Sequence, residues 1–222
     1  MNVFKTTLPV LTAAAAVSFS AGAATVTVSS TAPTVDGADI ANDSGASDAG
    51  GDQGHMWSNR PHQGQSFTTG SNAGGYQLNA VTLKSISNPS GTPTYNVLIG
   101  TLSGSTFTQV GSTETGVTPD VSGNDYVTFT LDTPLTLSAS TTYAFLWGSN
   151  GSGFITANNL DDSTYTGGTA ISSGDDNVPD LNNVIARNVD RVFHVDLVAV
   201  PEPGSLALLG IASLGLLQRR RR

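Results

Sequence analysis

Tyr143, Phe145 and Trp147 occupy alternate positions of one uncharged run, and the same two-residue rhythm recurs through the middle of the chain. Tyr95, Val97 and Ile99 share it, as do Val127, Phe129 and Leu131, and then Phe193, Val195 and Leu197. Side chains two apart project from the same face of an extended strand, whereas a helix would need spacings of three and four. Short alternating runs separated by Gly, Ser, Asn and Asp clusters, with no helical pattern between them, predict an all-β fold. The expected architecture is an antiparallel β-sandwich or jelly roll.

Other segments fill in the pattern. Thr25–Ser30 alternates Val26 and Val28 with Thr and Ser, and Gln65–Thr68 centres on Phe67. In Gln77–Ile86 the apolar parity shifts between Ala80 and Val81, which predicts a bulge or a change of buried face. Ser103-Gly104-Ser105 separates the 95–99 run from Phe107–Val110, so these two read as a hairpin. Leu135 and Leu137 follow Pro134. Two stretches, Ala32–Arg60 and Asp161–Asn183, are polar, rich in Asp, and read as long loops. The last strand should end near Val200.

The two ends differ from this body. Met1–Lys5 is a short basic start, Thr6–Ala24 is uncharged, and Ala21-Gly22-Ala23-Ala24 supplies small residues at its end. This reads as an N-terminal signal peptide over 1–24, cut by signal peptidase; the alternative is a buried helix opening a globular domain. At the other end Pro201-Glu202-Pro203 precedes an apolar stretch, Ser205–Leu217, and the cluster Arg219, Arg220, Arg221 and Arg222. The apolar stretch is shorter than the roughly 20 residues of a comfortable membrane helix. With Gln218 and the arginines reaching to the interface it would cross a thin bilayer. The arginines would remain cytoplasmic, which places residues 25–200 outside, as the N-terminal signal also requires. A buried C-terminal helix of the globule is the competing reading of the same length.

Val200-Pro201-Glu202-Pro203-Gly204, the short apolar segment and the arginine cluster, in that order, resemble the PEP-CTERM sorting signal. The resemblance implies that residues 201–222 form a transmembrane-like helical tag recognised by an exosortase, a membrane-embedded cysteine protease-transpeptidase. It implies a precursor anchored in the inner membrane, cut near the motif and passed to the cell surface or extracellular matrix of a bacterium that makes exopolysaccharide. The motif itself, Pro201, Glu202 and Pro203, would be held extended by its prolines.

The body between the tags, 25–200, has a resemblance of its own. Gln65-Ser66-Phe67-Thr68-Thr69-Gly70, Tyr76-Gln77-Leu78 and Val81-Thr82-Leu83 are similar to the start of the choice-of-anchor domains. Val127-Thr128-Phe129, Leu135-Thr136-Leu137 and Thr141-Thr142-Tyr143 continue it. That resemblance implies an extracellular β-sandwich-like ectodomain and brings no catalytic residues.

Charge and composition narrow the function. Residues 25–200 hold sixteen acidic side chains against Arg60, Lys84, Arg187 and Arg191, a net charge of −12. Such a domain is unsuited to nucleic acid. There is no cysteine, so neither disulfides nor thiolate chemistry are available. His55 and His62 share a probable-loop region with Asp52 but lack the spacing of a zinc motif, so no metal-ligand set is assigned. His194 should point away from the face that Phe193 and Val195 bury, at the surface, where Asp196 is its expected partner. No Gly-x-Ser-x-Gly elbow is present, Glu114 is the body's single glutamate, and no catalytic residues are assigned.

Two binding chemistries remain. The acidic loops would suit a structural calcium, although the stretch from Asp43 departs from the EF-hand pattern at Gly45 and Ser47. Trp57 and Tyr165, both expected in loops, are the candidates for stacking on a sugar, whereas Tyr143 and Trp147 should be core. The sequence therefore points to an exported, non-enzymatic surface or matrix protein with a structural or adhesive role. A carbohydrate-binding module, calcium-dependent or not, is the alternative, with extracellular polysaccharide as its partner.

Overall fold

The structure is a computed structural model, which describes residues 22–43, 54–55, 62–85, 94–117, 121–150, 156–160, 165–173, 180–181, 183–187, 189–202 and 204. Eighteen strands are named among the described residues. The first six are β1 (Gly22–Ala23), β2 (Thr25–Ser29), β3 (Ile40–Asn42), β4 (Gly54–His55), β5 (His62–Thr68) and β6 (Tyr76–Lys84). Then come β7 (Thr94–Ser103), β8 (Thr106–Gln109), β9 (Glu114–Val117), β10 (Tyr126–Leu137), β11 (Thr142–Asn150) and β12 (Thr156–Ala157). The last are β13 (Asn159–Leu160), β14 (Ala170–Ser173), β15 (Asp180–Leu181), β16 (Val184–Ala186), β17 (Asp190–Arg191) and β18 (Phe193–Ala199).

Two main sheets carry the fold. The larger runs β1-β9-β7-β11-β5-β14-β16, with β8 and β15 attached through β7; the smaller runs β2-β10-β6-β18-β3. Every named pair is antiparallel except β1 with β9. The N-terminal segment belongs to both sheets. Gly22 and Ala23 pair with β9, the Ala24 amide donates to the Thr115 carbonyl at 3.0 Å, and Thr25–Ser29 then pairs with β10. Gly22–Ala24, the end of the expected signal peptide, thus lies in the sheet; Met1–Ala21 lies outside the described residues.

The alternating sets predict the interior. Phe67, Tyr95, Val97, Ile99, Tyr143, Phe145 and Trp147 from one sheet meet Leu78, Val81, Leu83, Val127, Phe129, Phe193, Val195 and Leu197 from the other in one buried cluster. Aromatic rings hold its centre: Phe129 and Trp147 meet edge to face at 4.8 Å between centroids, and Tyr95 packs at 6.1 Å from Trp147. Such ring pairs add to the area they bury. The fold is therefore all-β and sandwich-like, with one core between two antiparallel sheets.

Local expectations are met at the hairpin and the bulge. Ser103 pairs with Thr106 across the β7–β8 turn. On β6, Leu78 pairs with Leu197 but Ala80 pairs with Asp196, so the extra residue is Asn79, slightly earlier than the parity shift indicates. The bulge lets Leu78 and Val81 face the same core despite their odd spacing. Pro134 falls in the irregular part of β10, between Thr130 and Leu135, where the ladder to β6 is interrupted and a proline is tolerated.

Both stretches expected to be loops contain strands. Ile40–Asn42 pairs with β18, and Ala170–Ser173 pairs with β5. Ile171 and Leu181 bury against Leu98, Phe107, Leu146 and Val184 in a second cluster. Leu98 and Leu146 alternate with core-facing neighbours, so this cluster covers the opposite face of the larger sheet. A lone apolar residue among Ser, Gly and Asp gave no periodic signal for these strands.

One side of the sandwich is closed by polar groups instead. Arg191 is 1% exposed. Its guanidinium donates to Gln63 Oε1 at 2.6 Å, to the Asn159 side-chain oxygen and to the Gly64 carbonyl at 3.4 Å. Its amide donates to Gln65 Oε1 at 2.9 Å, Gln65 Nε2 donates to Asp190 Oδ1 at 2.8 Å, and Asn42 Nδ2 donates to the Arg191 carbonyl at 3.1 Å. A buried guanidinium is tolerable only with such donors and acceptors in place. Through Asn42 on β3 and Gln63 and Gln65 on β5, the network joins the two sheets.

Candidate functional site

The place where the chain leaves the sandwich is built by three side chains. β18 lies between β6 and β3, but β3 covers only Phe193–Val195. Beyond it the strand would have an open edge. Asp39, just before β3, takes over: its Oδ1 accepts the Leu197 amide at 2.8 Å. Its Oδ2 accepts the Asp36 amide at 2.8 Å and faces His194 Nε2 at 3.1 Å. One carboxylate thus ends the strap of residues 30–39, which crosses from β2 at one edge of the smaller sheet to β3 at the other.

His194 points away from the core, as its alternation predicts, but it is buried under that strap and its partner is Asp39. The expected partner, Asp196, instead accepts from Asn79 Nδ2 at 3.1 Å. A strand-register argument sees only neighbours along the strand; Asp39 is 155 positions away. The strap leaves a half-open pocket of about 170 Å³ against the outer face of the sheet, lined by Asp36, Asp39, Thr82, Thr128, His194 and Asp196 among others.

Three residues after Leu197 a second device appears. The Val200 amide donates to the Gly75 carbonyl at 3.0 Å. Asn72 Nδ2 donates to the Val200 carbonyl at 2.8 Å and to the Gly75 carbonyl at 2.7 Å. The turn that carries Asn72 is closed by the Gly75 amide donating to the Asn72 carbonyl at 2.8 Å, and the Asn72 amide donates to the Tyr76 hydroxyl at 3.1 Å. Gly74 lies so close to the exit that a Cβ there would sit 2.3 Å from the Val200 oxygen, so the approach requires glycine. Pro201 and Glu202 follow directly and are exposed, with no hydrogen bond to the body among the described residues.

The other sequence-predicted positions fall as follows. Pro203, Arg219, Arg220, Arg221, Arg222 and the apolar Ser205–Leu217 stretch lie outside the described residues, as does Trp57. No helix among the described residues is long and apolar enough to cross a membrane. Tyr165 is half-buried and its ring meets Phe193 edge to face at 5.2 Å, so it packs against the main core. His62 opens β5 and is buried. Of the acidic loop residues, Asp36, Asp39 and Asp43 are described; Asp39 is engaged as above and Asp43 accepts the Tyr126 hydroxyl at 2.9 and 3.1 Å. Among the described residues no three His, Cys, Asp or Glu groups are placed to hold a metal ion.

Sequence reasoning located the motif and missed the clamp. Asn72, in Ser71-Asn72-Ala73-Gly74-Gly75, reads only as a turn residue; the one usable signal is that an Asn-x-Gly-Gly turn immediately precedes a strand pairing with the chain's last one.

The family model described as the PEP-CTERM protein-sorting motif matches residues 199–222. It begins on the last residue of β18 and takes in the clamped Val200, the exposed Pro201 and Glu202 and everything after them. A chain carrying this motif is an exported, membrane-anchored precursor processed by an exosortase to the cell surface. No curated protein and no solved structure is significantly similar to the chain.

Proposed function

We propose that the sandwich is the passenger of this sorting tail and serves as a structural or adhesive component of a polysaccharide-rich envelope. The precursor is held in the inner membrane by residues 201–222, cut after Val200, and released to the surface or extracellular matrix. The observation that carries the reading is the junction: the matched motif starts on the last residue of β18, and after the clamped Val200 the side chains of Pro201 and Glu202 are exposed. A cut there removes no strand and no core residue among the described residues. The body then acts without catalysis, with His194 and Asp39 committed to closing a strand edge.

Replacing Pro201, Glu202 and Pro203 together by alanine tests the sorting step. The variant should stay membrane-bound at precursor mass while the wild type yields a shorter, released form. Release of the variant at the wild-type mass would refute the reading. The matrix role is tested by co-sedimentation of the released body with extracellular polysaccharide, compared with Trp57→Ala.

A further inference from the structure

We propose that Asn72 is a positioning residue for processing: its side-chain amide clamps Val200 and so sets the upstream limit of the peptide that a protease can take. The inference rests on the processing reading above. Proteases bind substrates as extended chain whose backbone groups are free to pair with the enzyme. Those groups are engaged by β6 on one side as far as Ala199, and by β3 or Asp39 on the other as far as Leu197. At Val200 both the amide and the carbonyl are engaged, by Gly75 and by Asn72. Val198 and Ala199 are exposed as side chains, yet their backbone stays in the ladder opposite Gln77 and Tyr76. The first residues an extended-peptide enzyme can lift away are therefore Pro201 and Glu202.

The amide is the active part of the clamp. Asparagine donates to two carbonyls, Gly75 and Val200, which an aspartate of the same shape cannot do. Without it the Val200 segment keeps only its own amide bond to Gly75, and the next anchor upstream is the pairing of Ala199 with Tyr76 on β6. The accessible peptide then lengthens by one residue, Val200, up to the end of the β18–β6 ladder.

The full chain, held in detergent, is digested with proteinase K and the resistant core weighed by mass spectrometry. The wild-type core should end at Val200 or beyond. Asn72→Asp and Asn72→Ala should give cores ending at Ala199, with the bond between Ala199 and Val200 cut about tenfold faster, the loss of one hydrogen bond's hold on local opening. Gly74→Ala attacks the same contact by pushing on the Val200 oxygen and should move the end in the same way, which guards against an Asn72 variant that misfolds. A wild-type core already trimmed into Ala199, or variant cores with wild-type ends, overturns the clamp. The same variants are then expressed in cells with the sorting enzyme. Shortened variant cores in the digest with no tail-cut product in cells would sink the processing reading and leave the clamp standing; normal processing with unmoved variant ends would do the reverse.

Discussion

His194 Nε2 lies 3.1 Å from Asp39 Oδ2, and the other oxygen of the same carboxylate holds the Leu197 amide at 2.8 Å. A side chain thereby substitutes for the strand that is missing beside the end of β18. Because Asp39 also accepts the Asp36 amide, it has three donors, while among the described residues His194 has this one side-chain partner. Asp39→Ala should therefore lower the unfolding free energy by about 3 kcal/mol, and His194→Ala by about 1 kcal/mol. Urea denaturation of both variants and of the double variant reads this. Equal losses at the two positions would show that the imidazole, and not the strand edge, is what Asp39 supports.

Tyr95 and Trp147 bring two polar atoms into the centre of the sandwich, and neither the Tyr95 hydroxyl nor Trp147 Nε1 has a hydrogen-bond partner among the described residues. Both residues are fully buried. Tyr95→Phe removes an unsatisfied hydroxyl without changing the ring and should stabilise the protein by about 1 kcal/mol. For a domain of this size that is a rise of roughly 2–4 °C in Tm. Trp147→Phe removes its orphaned N–H too but leaves a void, and should destabilise by about 2 kcal/mol. Calorimetry distinguishes the two; a fall in Tm for Tyr95→Phe would mean that the hydroxyl is satisfied in solution.

Alkaline pH should weaken the fold through its tyrosines. Burial, then the hydrogen bond to Asp43 and that carboxylate's charge, push Tyr126 up to about 12. Burial is also the main cause at Tyr165, pushed up to about 12, where the charge of Asp190 adds and a backbone bond at Thr68 opposes. Burial raises Tyr95 as well. In the unfolded chain these phenols titrate near 10, so above that pH the unfolded state loses protons that the folded state keeps. Stability is fully present below pH of about 10 and falls between about 10 and 12. Denaturant unfolding at stepped pH, followed with phenolate absorbance, checks this, and Asp43→Asn should bring the Tyr126 midpoint down. Constant stability up to pH of about 12 would be incompatible with these tyrosines remaining buried and protonated.

The alternating residues of β7, β10, β11 and β18 were readable because period two is a property of a single strand. The same rhythm exposed the Asn79 bulge to within a residue or two. Ile40–Asn42 and Ala170–Ser173 were not readable, because each is a short stretch in polar surroundings that becomes a strand only when β18 or β5 lies beside it. The burial of Arg191 was not readable for the same reason: it depends on Gln63 and Asn159, which are 128 and 32 positions distant. His194 was correctly aimed and wrongly left uncovered, since the strap above it makes no pattern of its own.

By itself the chain of residues determined which side chains turn inward, that the described residues of the body form strands and no helix, and that the tail is a sorting tag; these follow from local spacing and from contiguous motifs. Only the tertiary structure decided which strand lies beside which, how the outer face of β18 is covered, and that Asn72 grips the carbonyl from which the tag departs. Those features join residues far apart in the chain. They arise when two sheets bury a common core and the remaining polar groups must find partners among whatever has been brought close.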